Sequence, residues 1–159
     1  MFGMKRNMDN CEMCQGVFLL VSRIMLSYIF LSSGIKHFTG IDKTAGAVAG
    51  KMSFIPEALQ PFFAWAAVAL LLLGGLMVLM GFKTRIGAML LVLFLIPTLL
   101  FFHNYWSFPP EEMQMQQLQF NKNLAIMGGL FALFVKGAGN YSIDGLLRRG
   151  KAAQPAPVH

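Results

Sequence analysis

From Phe62 to Phe82 the chain carries no charged side chain, a run of about 21 residues. As an α-helix it would reach roughly 30 Å, the thickness of the hydrocarbon layer of a bilayer. Two more runs resemble it. Val17 to Ile35 follows Lys5-Arg6 and is broken only by Arg23, while Ile86 to Phe102 contains Pro97, which kinks a helix whose neighbours must then satisfy the freed backbone groups. A fourth, Leu124 to Val135, has only about 12 residues where a crossing needs roughly 20. It spans only when read from about Phe120, with Asn121, Lys122 and Asn123 inside its outer end and basic termini that snorkel.

The expectation is therefore all-α: an integral membrane four-helix bundle with helices at about 17–35, 62–82, 86–102 and 120–136. These helices form a transmembrane domain over 17–144, preceded by a cytoplasmic segment 1–16 and followed by a basic, Pro/Ala-rich cytoplasmic tail 145–159. The first span is not read as a secretory leader, because it is long for one and no Ala-x-Ala-type site follows it. Hydrophobic residues make up 56% of the chain and charged ones 13%, well outside soluble composition. The net charge of +6 flanks the apolar runs instead of forming a stripe among base-stacking aromatics. Lipid headgroups, not nucleic acid, are its natural counter-charge.

With four spans, Lys5, Arg6, Lys83, Arg85, Lys136, Arg148, Arg149 and Lys151 share one side, and Lys36, Lys43, Lys51 and Lys122 the other. The two-to-one excess predicts both termini in the cytoplasm, and the membrane expected is a bacterial inner membrane. Tyr105 and Trp106 then fit an aromatic belt on the outer side. Gly74, Gly75 and Gly81, Gly87-Ala88, and Ala125, Gly128, Gly129 and Ala132 supply the small residues at which membrane helices approach closely.

Arg23 is a charge about six residues inside a span. Either it snorkels to headgroups, or it faces the bundle and needs an anion. No Asp or Glu lies in any span, so the nearest intramolecular candidate is Asp144, and an Arg23–Asp144 ion pair tying the C-terminal segment to the first helix is expected. On the outer side, Lys36, His37, His103, Asn104, Asn121, Lys122 and Asn123 lie at the ends of three spans. If they converge, they would form a polar pocket able to hydrogen-bond a quinone carbonyl or a small anion; the alternative is that they cap helix ends at the interface. Two histidines that far apart do not make a metal site. Cys11-Glu-Met-Cys14 has the spacing of a redox dithiol, but on a reducing side and without a thioredoxin-like context. No nucleophile with its base, phosphate-binding glycine loop or carboxylate pair is present, which argues against an autonomous enzyme.

Several of these features taken in order resemble the DoxX family of small four-helix membrane proteins. The similarity is carried by Arg23 with Ser33-Gly34-Ile35-Lys36, by Gly74-Gly75 and Gly81-Phe82-x-Thr84-Arg85, by Phe102-His103-Asn104-Tyr105-Trp106, by Lys122-Asn123-Leu124-Ala125 leading to Gly128-Gly129, and by Gly139-x-Tyr141-Ser142-x-Asp144. Many members carry an acidic residue shortly before the paired glycines, where this chain reads Val68-Ala-Leu-Leu-Leu-Leu73. The resemblance implies the four-helix fold. Its functional implications divide, since relatives include a subunit associated with thiosulfate:quinone oxidoreductase, companions of other redox enzymes, and distant eukaryotic proteins of receptor assembly or cargo export. The first expectation is thus an auxiliary, non-catalytic subunit of a quinone-linked redox complex, with quinone as candidate cofactor and a membrane redox enzyme as partner. The second is an assembly or scaffolding protein without electron transfer, binding another membrane protein or a second copy of itself. The third is a small transporter, disfavoured by the single charge within the spans.

Overall fold

A computed structural model describes residues 2–152, with side chains described for 13–150. All its regular structure is helical: α1 (Phe2–Thr39), α2 (Ile41–Lys51), α3 (Gln60–Met80), α4 (Thr84–Pro97), α5 (Pro110–Lys136) and α6 (Ile143–Ala152). Four segments are long and apolar enough to cross a membrane: Met13–Thr39, Glu57–Met80, Thr84–Ser107 and Pro110–Lys136. They correspond to α1, α3, α4 with its continuation, and α5. α1 packs on α3, α3 on α4 and α4 on α5, whereas α5 returns to α1 over a short stretch only.

Turn chemistry sets the order of the central pair. α3 ends at Gly81, whose φ of 68° is the left-handed conformation glycine adopts at little cost. Phe82 N–H donates to Met77 O at 3.0 Å and Gly81 N–H to Val78 O at 3.2 Å, the paired bonds that close a helix C-terminus on such a glycine. Lys83 follows, also left-handed at φ 45°, and α4 begins immediately. The two helices then run so close that a Cβ on Gly74 would stand 3.1 Å from Gly87 O, and one on Gly87 equally 3.1 Å from Gly74 O. Gly75 lies against Leu31 of α1 in the same way, with 2.9 Å to its Cδ2 from an added Cβ. Around these contacts Phe30, Leu71, Val78, Leu91, Leu95, Leu130 and Leu133 form the buried core.

The fourth crossing differs from expectation. α5 is one helix of 27 residues, about 40 Å by its rise, and needs no help to span. It starts at Pro110, ahead of the expected Phe120, because Pro110 fits the first helical turn and Glu111 and Glu112 complement the positive end of the helix dipole. Its first turns carry Gln114, Gln116, Gln117 and Gln119, and its length exceeds the roughly 30 Å of a hydrocarbon layer. Gly129 faces Leu26 of α1 at 3.6 Å for an added Cβ, whereas a Cβ at Gly128 would meet nothing within 4 Å among the described residues. The basic tail begins as a helix, Ile143–Ala152, and its Pro/Ala-rich end, residues 153–159, lies outside those described. Pro97 ends the regular α4, and residues 98–102 continue with a wider turn, His103 N–H donating to Thr98 O at 3.1 Å while the Thr98 hydroxyl takes up Phe94 O at 2.8 Å.

Candidate functional site

The chemistry-bearing residues concentrate where α1, the α3–α4 turn and the loop between α5 and α6 meet. The loop runs through Gly137 and Gly139, at φ 79° and 78°. It lies on one stripe of α1, with the Tyr141 ring against Gly16, Gly139 against Leu19, and residues 138–141 over Arg23. Positions 16, 19 and 23 share a helical face.

Arg23 is 1% exposed. Its Nη1 donates to Ala138 O at 2.7 Å and its Nη2 to Tyr141 O at 2.8 Å. The guanidinium also sits against Gly81: a Cβ there would lie 2.5 Å from Nη1 and collide with the Ser142 Cβ. Thus Arg23 faces the bundle and does not snorkel. Among the described residues it makes no direct ion pair with Asp144, so the expected contact is replaced: the C-terminal segment is indeed tied to α1, but through its carbonyls. A planar fork with several donors suits two carbonyls that no single carboxylate position could match. Arg23 Nε and the hydroxyl of Ser27, one turn on, find no hydrogen-bond partner among the described protein atoms.

Asp144 serves a different element. Its carboxylate accepts from Lys83 N–H at 2.8 Å, Thr84 N–H at 3.0 Å and the Thr84 hydroxyl at 3.1 Å, and its own N–H donates to Gly81 O at 2.9 Å. It caps the start of α4 from about 60 residues away, an anion at the positive end of a helix. It also stabilises the strained left-handed Lys83. Partial burial pushes the Asp144 carboxyl up, but the hydrogen bonds from Thr84 and Lys83, with Arg148 nearby, outweigh this and hold it below its ordinary value. Ser142 caps α6 by accepting from Gly145 N–H at 3.0 Å while donating to Gly139 O at 2.6 Å.

Beside this clasp a cleft of about 460 Å³ opens between the start of α4, the end of α5 and α6. Lys83, Arg85, Lys136 and Arg148 line it, with Ile86 and Leu147 among its apolar walls.

At the opposite end, four of the seven expected polar residues have separate partners. His37 Nδ1 meets the Thr44 hydroxyl of α2 at 3.0 Å, His103 Nδ1 meets Gln116 Oε1 at 2.9 Å, Asn104 donates to the Ser107 hydroxyl at 3.1 Å, and Lys122 donates to Gln119 Oε1. Asn123 is buried, and Lys36 and Asn121 are exposed. No side-chain hydrogen bond among the described residues joins any two of the seven. A cleft of about 510 Å³ at the α2–α3 connection is lined by Ala49, Phe54, Pro56, Glu57 and others, and by none of them. Tyr105, Trp106 and Phe120 cluster edge to face there, with centroids 5.1–5.8 Å apart. Cys14 is an exposed free thiol on α1, and the Cys11 side chain lies outside those described. Sequence reasoning missed Thr44, Gln116, Ser27 and the basic cleft. Thr84 and Ser142 stood in the motifs without a role.

Four apolar crossings held by an intramembrane arginine define a multi-pass helical membrane protein. Residues 18–104, more than half the chain, match the DoxX family model. Inner membrane protein YqjF of Escherichia coli K12 is 34% identical over 136 residues, 85% of this chain and 95% of the relative. Inner membrane protein YphA of the same organism is 28% identical over 128 residues, 80% and 89% of the two chains. The Surfeit locus protein 4 homolog of Schizosaccharomyces pombe is 30% identical over 129 residues, which is 80% of this chain and 36% of that protein. No solved structure matches. The chain belongs to the DoxX family and is a multi-pass inner membrane protein of bacterial type.

Proposed function

We propose that this chain is a non-catalytic assembly subunit that holds another membrane protein through the outer surface of α5, with both termini in the cytoplasm. The observation that carries the reading is the open small-residue face of α5. Ala125, Gly128 and Ala132 are exposed, and a Cβ added at Gly128 would meet nothing within 4 Å among the described residues, although such residues mark close helix–helix approach in membranes. The buried polar groups, by contrast, are committed to the fold: Arg23 to two carbonyls and Asp144 to three donors. Orientation follows from the excess of Lys and Arg at the clasp end.

The auxiliary-redox reading rests on the family resemblance. The outer residues fit a quinone head poorly, because His37 and His103 are engaged with different partners and the seven side chains form no joint hydrogen-bonded set. Purification of tagged protein at native abundance in mild detergent, with mass spectrometry of co-purifying proteins and lipids, separates the readings. A protein partner lost in Gly128→Leu, with unchanged thermal stability, supports assembly through α5. Enriched quinone with a dehydrogenase or oxidase that survives Gly128→Leu but is lost with His103→Ala would replace it by the redox reading.

A further inference from the structure

We propose that the basic cleft beside the clasp is a binding site for the phosphate headgroup of an anionic phospholipid, a site independent of the α5 surface. Lys83 and Arg85 come from the start of α4, Lys136 from the last turn of α5 and Arg148 from α6. Among the described side chains, Asp144 is the one acid at this end of the bundle, and its oxygens are occupied by the Lys83 and Thr84 donors. Asp144 also lines the cleft and attracts Arg148, so among the described side chains four cations face one carboxylate there and an excess of positive charge remains for a ligand anion. Arg85 is held at the rim by donating to Val135 O at 3.2 Å, which leaves its remaining donors for another acceptor.

The apolar walls distinguish a lipid from a soluble anion. Ile86 and Leu147 both line the cleft and are 53% and 52% exposed, and Val135, at 74%, continues the apolar surface along α5. A phosphate among the cations would leave acyl chains lying on these side chains, where the crossings meet hydrocarbon. α6 has the matching character, with Leu146 and Leu147 exposed beside Arg148 and Arg149, the pattern of a helix lying in an anionic interface. Basic pockets between membrane helices at the cytoplasmic side suit headgroups for the same reasons.

The test uses the full chain, reconstituted in phosphatidylcholine nanodiscs with about one fifth phosphatidylglycerol, and then extracted for native mass spectrometry of retained lipid. Phosphatidylglycerol should be retained over phosphatidylcholine. The double variant Lys83→Gln/Lys136→Gln should lower that preference about 25-fold, roughly fivefold for each cation removed, whereas Lys43→Gln/Lys122→Gln at the opposite end should leave it unchanged. Both residues of the first pair are exposed, and a monodisperse elution peak with unchanged melting midpoint shows the fold intact. If that pair does not fold, Lys136→Gln alone carries the test. Equal retention of both lipids, an equal loss in the control pair, or displacement of phosphatidylglycerol by millimolar inorganic phosphate would overturn the proposal. The last result would assign the cleft to a soluble anion.

Discussion

Replacing Arg23 by Met tests whether a buried cation stabilises this bundle or is merely tolerated by it. The two side chains are similar in length and the site is closed to solvent, so packing changes little. What is lost is a pair of charge-assisted hydrogen bonds, of 2.7 and 2.8 Å, each worth about 1.5–3 kcal/mol net, and two carbonyls in the 138–141 loop are left without donors. What is gained is relief from burying a guanidinium whose Nε lacks a protein partner, a desolvation cost of several kcal/mol per ion in unfavourable cases. The first effect wins if the 137–142 loop cannot turn its carbonyls to water. Its position against Gly16, Leu19 and Gly81 argues that it cannot. The net loss should be about 2–4 kcal/mol, or a midpoint lower by roughly 5–15 °C for a chain of this size. Arg23→Lys, which keeps the charge and reaches fewer acceptors, should fall between. Thermal unfolding followed by size-exclusion chromatography in detergent measures the midpoint, and limited trypsin cleavage at Lys136, Arg148 and Arg149 reports release of the C-terminal segment. An Arg23→Met protein as stable as the parent, with that segment still protected, would show that the desolvation cost equals the bonds and that the clasp does not depend on Arg23.

Asp144 supplies the pH dependence: its folded pKa lies below the unfolded value of about 3.9, so its stabilisation is complete above that value and fades as pH falls through the folded one. The gap in melting midpoint between the parent and Asp144→Asn should accordingly narrow below about pH 4, and a gap constant from pH 6 to pH 2.5 would contradict the cap. Gly81→Ala should cost at least about 3 kcal/mol, since it combines a left-handed backbone with a collision against Arg23 and Ser142, while Gly128→Ala, in open space, should be neutral or gain up to about 1 kcal/mol. Equal melting midpoints for the two alanine variants would remove Gly81 from the clasp. Ser27→Ala deletes a fully buried hydroxyl with no partner among the described residues and should leave stability level or raised, and a loss beyond about 1 kcal/mol would reveal an acceptor or donor for it.

The spans were legible because hydrocarbon demands contiguous apolar length, a property of consecutive residues. The start of α5 was not, since Glu111 to Gln119 is polar and the hydropathy signal begins only near Phe120; the Pro109-Pro110-Glu111-Glu112 start signal was there to be read instead. Arg23 stood out as a charge in a span. Its partners could not be read, because a search for an opposite charge finds Asp144 while backbone carbonyls leave no mark in a sequence. The same search hid the true role of Asp144, which is set by the left-handed turn at Gly81 to Lys83 and by where the chain returns after α5. At the end opposite the clasp the limits of the spans pointed to the residues, and the hydrogen bonds of four of them run instead to Thr44, Ser107, Gln116 and Gln119, local partners with no motif of their own.

The motif residues of the second span and of the C-terminal segment are thus parts of one object. Gly81 makes room for the Arg23 guanidinium, Thr84 and Lys83 receive the Asp144 cap, and Tyr141 offers its carbonyl while Ser142 starts the helix that carries Asp144. Three chain segments far apart in sequence close on a single buried cation, so each contact restricts the others, and the loop that binds Arg23 also positions Asp144 over α4. A fastening of this kind specifies how a four-helix bundle is held together, and it is compatible with different roles on one fold. What distinguishes one member from another must then lie away from the fastening. In this chain that leaves the open face of α5, the rim of the basic cleft and the aromatic-capped outer end.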